Sequence, residues 1–136
     1  MSRVQGVKTR QGTDISALLN AAADEYADGL LGVLIAESEL NEQALRAGVW
    51  PDYSAGLSQV IAANLGFGDY KNPPDAVSLA LYREYMFQPA NAIAEGWRYY
   101  KAALERMDYD PLYAALSYNR GPRYSRADLE DRKSVV

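Results

Sequence analysis

The sequence contains no cysteine and no histidine. Without cysteine, disulfide frameworks, cysteine-bearing zinc sites and thiol nucleophiles are excluded. Without histidine, the side chain that most often moves protons near neutral pH is missing, and so is the usual activator of a serine nucleophile. Acid–base work near neutrality therefore falls to a carboxylate, a tyrosine or a lysine. Basic residues are also short: 14 Lys and Arg stand against 18 Asp and Glu, for a net charge of −4 and a pI near 4.8. No basic stripe offsets this, so no nucleic-acid partner is expected. No apolar run reaches the roughly 18–20 residues of a membrane span, so no membrane insertion is expected. The first dozen residues lack an apolar core and do not read as a signal peptide. No metal or cofactor is implied.

What is present fits one domain of ordinary size. The chain has 136 residues, 49% of them hydrophobic, enough to bury a core. Eleven tyrosines outnumber two tryptophans and two phenylalanines. Tyrosine has an apolar body and a polar tip, which suits both core edges and sugar-binding grooves.

Residues 1–12 are polar and aperiodic and read as an N-terminal arm or a loose terminus. Thr13 or Asp14 can cap a first helix carrying Ile15, Leu18, Leu19, Ala22 and Tyr26, with Gly29 as its stop or bend. Leu30-Leu31-Gly32-Val33-Leu34-Ile35-Ala36 is the most apolar stretch and suits a buried helix, although a strand has the same periodicity over so short a run. Residues 40–56 hold Gly48, Pro51, Asp52, Ser54 and Gly56 and read as loop, with room for one short helix before Gly48. Leu57–Leu65 reads as a further helix ended by Gly66 or Gly68. Asp75 can cap a helix over Ala76–Met86, and Pro89 suits the first turn of the next. Ile93, Trp97, Tyr100, Leu104 and Met107 then follow at spacings of four and three, the clearest amphipathic pattern in the chain. Asp110 and Pro111 open a last helix to about Tyr118, with Asn119, Gly121 and Pro122 ending it. Residues 123–136 are a charged tail. The expected fold is mainly α: a single domain over 13–122, helices around a buried helix that ends in Glu37, and little or no β.

Glu37 comes directly after the apolar run. A carboxyl at the end of a buried helix is partly desolvated, which favours its neutral form, as a general acid requires. Ser38 has no histidine to activate it, and Glu39 and Glu42 are expected to face solvent. The plain alternative for Glu37 is a helix-end residue paired with an arginine. A Glu-Ser pair by itself does not separate the two, and the choice rests on the segments downstream of it.

Four segments recur in order. They are Leu34-Ile35-Ala36-Glu37-Ser38; Ser54-Ala55-Gly56-Leu57-Ser58-Gln59-Val60; Pro89 with Ile93, Gly96 and Tyr99; and Ala114-Ala115-Leu116-Ser117-Tyr118-Asn119-Arg120-Gly121-Pro122. Together they resemble the soluble lytic transglycosylase family, relatives of goose-type lysozyme, over about residues 30–122. The resemblance implies that Glu37 is catalytic and that Gln59 lines the glycan groove. It implies too that Tyr118 and Asn119 lie beside the scissile sugar, and that Ser38 and Gly56 belong to the substrate-binding surroundings. Three positions depart from the family pattern. Ser58 replaces a methionine, Leu116 stands where alanine is common, and Asn91 sits one residue early, with Ala92 in the asparagine slot. Other readings stay open: Gln59 as a loop cross-link, Tyr118 as core with a satisfied hydroxyl, Trp97 and Tyr100 as core. Trp50, in a Gly-Val-Trp-Pro loop, is a sugar-stacking candidate or a plug of that loop against the core.

By the same resemblance Glu37 protonates the oxygen between MurNAc and GlcNAc, the substrate's N-acetyl group stabilises the cationic centre, and the Glu37 carboxylate then takes the C6 hydroxyl proton as a 1,6-anhydro ring closes. The runner-up is hydrolysis by a muramidase with Asp52 as second carboxylate; against it, Asp52 after Pro51 has the look of a turn residue. A third reading is a structural virion or secretion-machine component with a lysozyme-like fold. Peptidoglycan glycan strands are the expected partner, with virion or secretion proteins docking through the termini. The expected place of action is the periplasm or cell wall, reached as cargo of a phage particle or secretion machine.

Overall fold

The computed structural model describes residues 2–120 and residue 127. Gly121, Pro122 and, apart from Ala127, the tail 123–136 lie outside the described residues. Among the described residues helices dominate, as expected, and the two strands form one small hairpin. The chain divides into two compact units, Met1–Gly96 and Trp97–Val136.

In the first unit, helix α1 (Ser16–Ala23) begins two residues later than Asp14, whose carboxylate accepts from the Ser16 amide at 2.9 Å. The expected break at Gly29 comes earlier, in a 3₁₀ turn over Asp24–Tyr26, and Gly29 lies inside helix α2 (Ala27–Ser38). α1 packs on α2, with Leu19, Ala23, Ala27, Leu30, Val33 and Leu34 all buried. The apolar run is therefore a helix, but it is buried on one face only. Gly32, Ile35 and Ala36 form an exposed face, Ile35 at 48%.

Residues 40–56, read as loop from the sequence, contain an antiparallel hairpin of strands β1 (Leu45–Ala47) and β2 (Tyr53–Ala55), with Leu45 opposite Ala55 and Ala47 opposite Tyr53. The expected helix over 57–65 is absent apart from a 3₁₀ turn, Ala62–Leu65, closed by Gly66 at φ +85°. Leu57, Val60 and Ile61 imitate one face of a helix, yet their backbone groups are satisfied otherwise. Gln59 takes φ +54°, and the Val60 carbonyl accepts from the Tyr82 hydroxyl. Side chains distant in sequence thus replace the helical ladder.

The later helices follow their local signals. Helix α3 (Ala76–Met86) starts at Asp75, whose carboxylate accepts from the Ser78 amide at 2.8 Å. Helix α4 (Pro89–Arg106) starts at its proline. Asn91, the residue displaced from the family position, donates to the Tyr85 carbonyl at 3.1 Å and so ties the start of α4 to the end of α3. α3 packs against β2.

In the second unit, helix α5 (Pro111–Arg120) is opened by Asp110, which accepts from the amides of Leu112 and Tyr113. Met107 and Tyr113 are buried together, with Leu116 packed on them. Arg106 donates to Ser117 Oγ at 2.9 Å. Tyr100 is buried and Trp97 half-buried, their rings 6.3 Å apart. That accords with core positions in a helical register.

Residues 2–14 run as an arm bound to the first unit. The Ser2 carbonyl accepts from the Asp28 amide, and Val4 exchanges two hydrogen bonds with the Asn20 side chain at 2.9 and 2.8 Å. The Val7 amide donates to Ser16 Oγ, and the Val7 carbonyl accepts from the Ile15 amide.

Candidate active site

Glu37 stands in the last turn of α2, one residue before its end, and is partly buried. By helical register it falls on the same face as Val33 and Leu34, four and three residues before it and both buried. Ser38 is buried, and its hydroxyl donates back to the Leu34 carbonyl at 2.9 Å. That bond ties Ser38 to the helix, a structural use rather than a nucleophilic one. Beyond it, Glu39 and Leu40 both take left-handed backbone conformations, φ +53° and +61°. A left-handed residue just past the helix end is a common way of stopping a helix, but glycine is its usual occupant.

The end of α2 is joined to the hairpin by successive backbone bonds. Asn41 N–H donates to the Ser38 carbonyl and Ala44 N–H to the Asn41 carbonyl, both at 3.1 Å. The Ala44 carbonyl in turn accepts from the Gly56 amide at 2.8 Å and from Gln59 Nε2 at 3.2 Å. Gln59, buried, also donates to the Gly56 carbonyl at 2.9 Å and accepts from Ser54 Oγ at 2.6 Å. Its amide cross-links the hairpin, the loop reading that the sequence left open. Gly56 has φ +79°, and a Cβ there would stand 2.1 Å from the Met86 carbonyl oxygen. The missing side chain at Gly56 thus admits the backbone at the end of α3. Ser58, the departure from methionine, is fully buried.

Behind this loop lies Tyr82, buried, whose hydroxyl accepts from the Ala55 amide at 2.9 Å and donates to the Val60 carbonyl. Burial pushes this phenol well above its usual range, so it stays a neutral donor at any physiological pH. Tyr82 rings meet Tyr53 at 5.9 Å and Phe67 at 5.5 Å.

Trp50 and Asp52 sit at the hairpin tip. Trp50 is half-buried and donates from Nε1 to the Asp69 carbonyl at 2.6 Å, pinning the tip to the 66–72 loop. Asp52 is exposed; its carbonyl accepts from Gly48 and its amide donates to Val49, the bonding of a turn residue. Tyr118 and Asn119 lie near the end of α5 in the second unit, the first half-buried and the second exposed.

Two glutamates behave differently from each other. Glu39 is exposed and paired with Arg10. Glu42, expected in solvent, is half-buried and accepts from the hydroxyls of Thr9 and Thr13. None of Thr9, Arg10, Thr13 or Tyr82 is marked by a motif. The one available signal was the polar Thr9-Arg10-Gln11-Gly12-Thr13-Asp14 stretch, which has the composition of a turn with side chains to spare for other loops. Among the described residues, no group of carboxylates could hold a metal ion, and no helix is long and apolar enough to cross a membrane.

A mainly helical domain, with a partly buried glutamate at a helix end and a small hairpin after it, belongs to the lysozyme-like class. The sequence profile of the transglycosylase SLT domain family matches residues 19–135, and the chain belongs to that family. Its members are peptidoglycan-cleaving lyases, so the substrate is peptidoglycan and the place of action is the cell wall. No curated protein and no solved structure gives a significant match.

Proposed function

We propose that this enzyme breaks the MurNAc–GlcNAc β-1,4 bond with Glu37 acting first as acid and then as base. Glu37 gives its proton to the bridging oxygen, and the GlcNAc-bearing fragment leaves. The N-acetyl carbonyl of the MurNAc residue supports the cation at C1. The Glu37 carboxylate then takes the C6 hydroxyl proton while O6 bonds to C1. The proton is returned to Glu37, the 1,6-anhydro ring is closed, and no water is consumed.

The observation that carries this reading is the setting of Glu37: partly buried, in the last turn of α2, and hydrogen-bonded through its chain neighbours to the loop of Gly56 and Gln59. Partial desolvation and the negative end of a helix both favour the neutral form of a carboxylic acid. In this proposal Gly56 and Gln59 shape the groove wall through the backbone they hold. Trp50 and Ser38 contribute as neighbours rather than as reacting groups. Tyr118 and Asn119 take the substrate-side roles that the family resemblance gives them, and Tyr118→Phe is expected to lower kcat.

The test compares wild type with Glu37→Gln on purified sacculi, with products read by mass spectrometry. Anhydro-ended muropeptides from wild type, and none from Glu37→Gln, are expected. Reducing ends instead would turn the assignment to hydrolysis with Asp52 as second carboxylate. Equal clearing of a zymogram by both proteins would defeat the role of Glu37 and leave a scaffold reading.

Delivery inside a phage particle or secretion machine, docked through the charged residues 123–136, completes the proposal. The net charge of −4 gives the enzyme no attraction of its own to an anionic wall, a steering that mechanical delivery needs less. Co-purification of the chain with particles or with an assembled machine, lost on truncation after residue 122, is the expected result.

A further inference from the structure

The residues just past Glu37 are held by a part of the chain that precedes the family match, which begins at residue 19. Residues 8–14 form a small closed loop. The backbones of Lys8 and Asp14 pair as an isolated antiparallel β-bridge, the Thr9 amide donates to the Thr13 carbonyl at 2.9 Å, the Gly12 amide to the Thr9 carbonyl at 2.9 Å, and the Thr13 amide to Thr9 Oγ1 at 3.1 Å. The loop is anchored at its base by the Val7–Ile15 and Val7–Ser16 bonds. Its outer side meets residues 39–42 one after another. The Arg10 amide donates to the Leu40 carbonyl at 2.9 Å, Arg10 Nε donates to the Glu39 carbonyl at 3.1 Å, and its Nη2 pairs with the Glu39 carboxylate. Gln11 donates to Asn41 Oδ1 at 2.7 Å and accepts from the Glu42 amide at 3.0 Å. Thr9 and Thr13 both donate to Glu42.

We propose that this loop is a positioning clamp for Glu37, with Arg10 as its principal positioning residue. The inference rests on the catalytic reading of Glu37. Glu39 and Leu40 are two successive left-handed residues with side chains, a backbone state that persists only where its surroundings impose it. Arg10 secures both of their carbonyls, one with its amide and one with its guanidinium. These carbonyls lie at the end of α2, where orphan acceptors and the negative helix end favour a cation. If they are released, the last turn of α2 can fray, and Glu37 stands in that turn. The ion pair with the Glu39 carboxylate is exposed on both sides, so the backbone contacts, not that pair, carry the effect.

The test uses the full chain with soluble glycan strands and separate kcat and KM. Arg10→Ala is expected to keep the wild-type circular dichroism and to lower kcat about tenfold, with KM changed by less than about twofold. Both variants keep the main-chain amide that donates to Leu40; Arg10→Lys also keeps the charge but loses the Nε donor, and should recover only part of kcat. If Arg10→Ala does not fold, Gln11→Ala with Thr13→Ala is read the same way, with a smaller fall in kcat expected. A raised KM at unchanged kcat would mean that Arg10 only attracts substrate, and wild-type values for both would remove the clamp. Glu37→Gln is run beside these: if it stays active the assignment of Glu37 has failed, whereas an inactive Glu37→Gln with an unimpaired Arg10→Ala overturns the clamp alone.

Discussion

A methyl group at position 56 would stand 2.1 Å from the Met86 carbonyl oxygen, on a backbone already at φ +79°. No side chain can yield there, because the obstacle is the main chain at the end of α3. Gly56→Ala is therefore expected to cost about 2 kcal/mol or more in urea unfolding, from the left-handed φ and the displaced backbone together. Gln59 is the other residue on which this loop depends. Gln59→Leu leaves the Ser54 hydroxyl and the Gly56 carbonyl without the partner each now has. Both lie among buried residues, so a loss of about 2–3 kcal/mol is expected. A stable Gln59→Leu with poor activity would instead mean that the amide serves substrate rather than the loop. Tyr82 supports the same segment from behind, and Tyr82→Phe tests its share: the ring packing remains while the Ala55 amide and the Val60 carbonyl lose their common partner.

Among the elements, α3 shows how a local signal can set a boundary. Asp75 accepts from the Ser78 amide, and that bond holds its carboxyl below the ordinary value. The Ser16 amide does the same for Asp14, and the Lys71 and Asn72 amides for Asp69. Because each is depressed in the folded state, its contribution is present above the unfolded pKa and is lost as pH falls through the folded one. The melting temperature should accordingly drop below about pH 4. Asp75→Asn, which caps without a charge, should melt close to wild type at neutral pH and fall less steeply in acid. An identical acid slope for the two proteins would exclude Asp75 as a contributor. Elements of this kind were legible in the sequence: Asp75, Pro89 and Asp110 with Pro111 announce α3, α4 and α5 within one turn of their starts. The hairpin, the irregular 57–65 segment and the arm were not, because what fixes them is far away along the chain. Gln59 reaches Ala44, Tyr82 reaches Ala55 and Val60, and Thr9 and Thr13 reach Glu42. At the candidate site, the apolar run singled out Glu37 as a candidate, and the choice between an acid and a plain helix-end residue rested on the segments downstream of it. The loop that holds its neighbours could not be read, since Arg10 and Gln11 carry no pattern of their own.

For the whole molecule, the decisive quantity is the excess of four negative charges on a protein whose substrate is itself anionic. A free wall enzyme gains encounter rate from opposite charge, and here the long-range field opposes encounter. Screening should therefore help. Raising salt from about 20 mM to about 200 mM shortens the Debye length from roughly 20 Å to under 10 Å, and turnover of intact sacculi by the purified enzyme should rise, by about two- to threefold. Soluble glycan strands stripped of stem peptides carry fewer carboxylates and should show a weaker response. Turnover that falls steadily with salt would mean that a local basic surface, and not the net charge, governs approach to the wall. In that case the proposal of mechanical delivery would give way to self-directed binding.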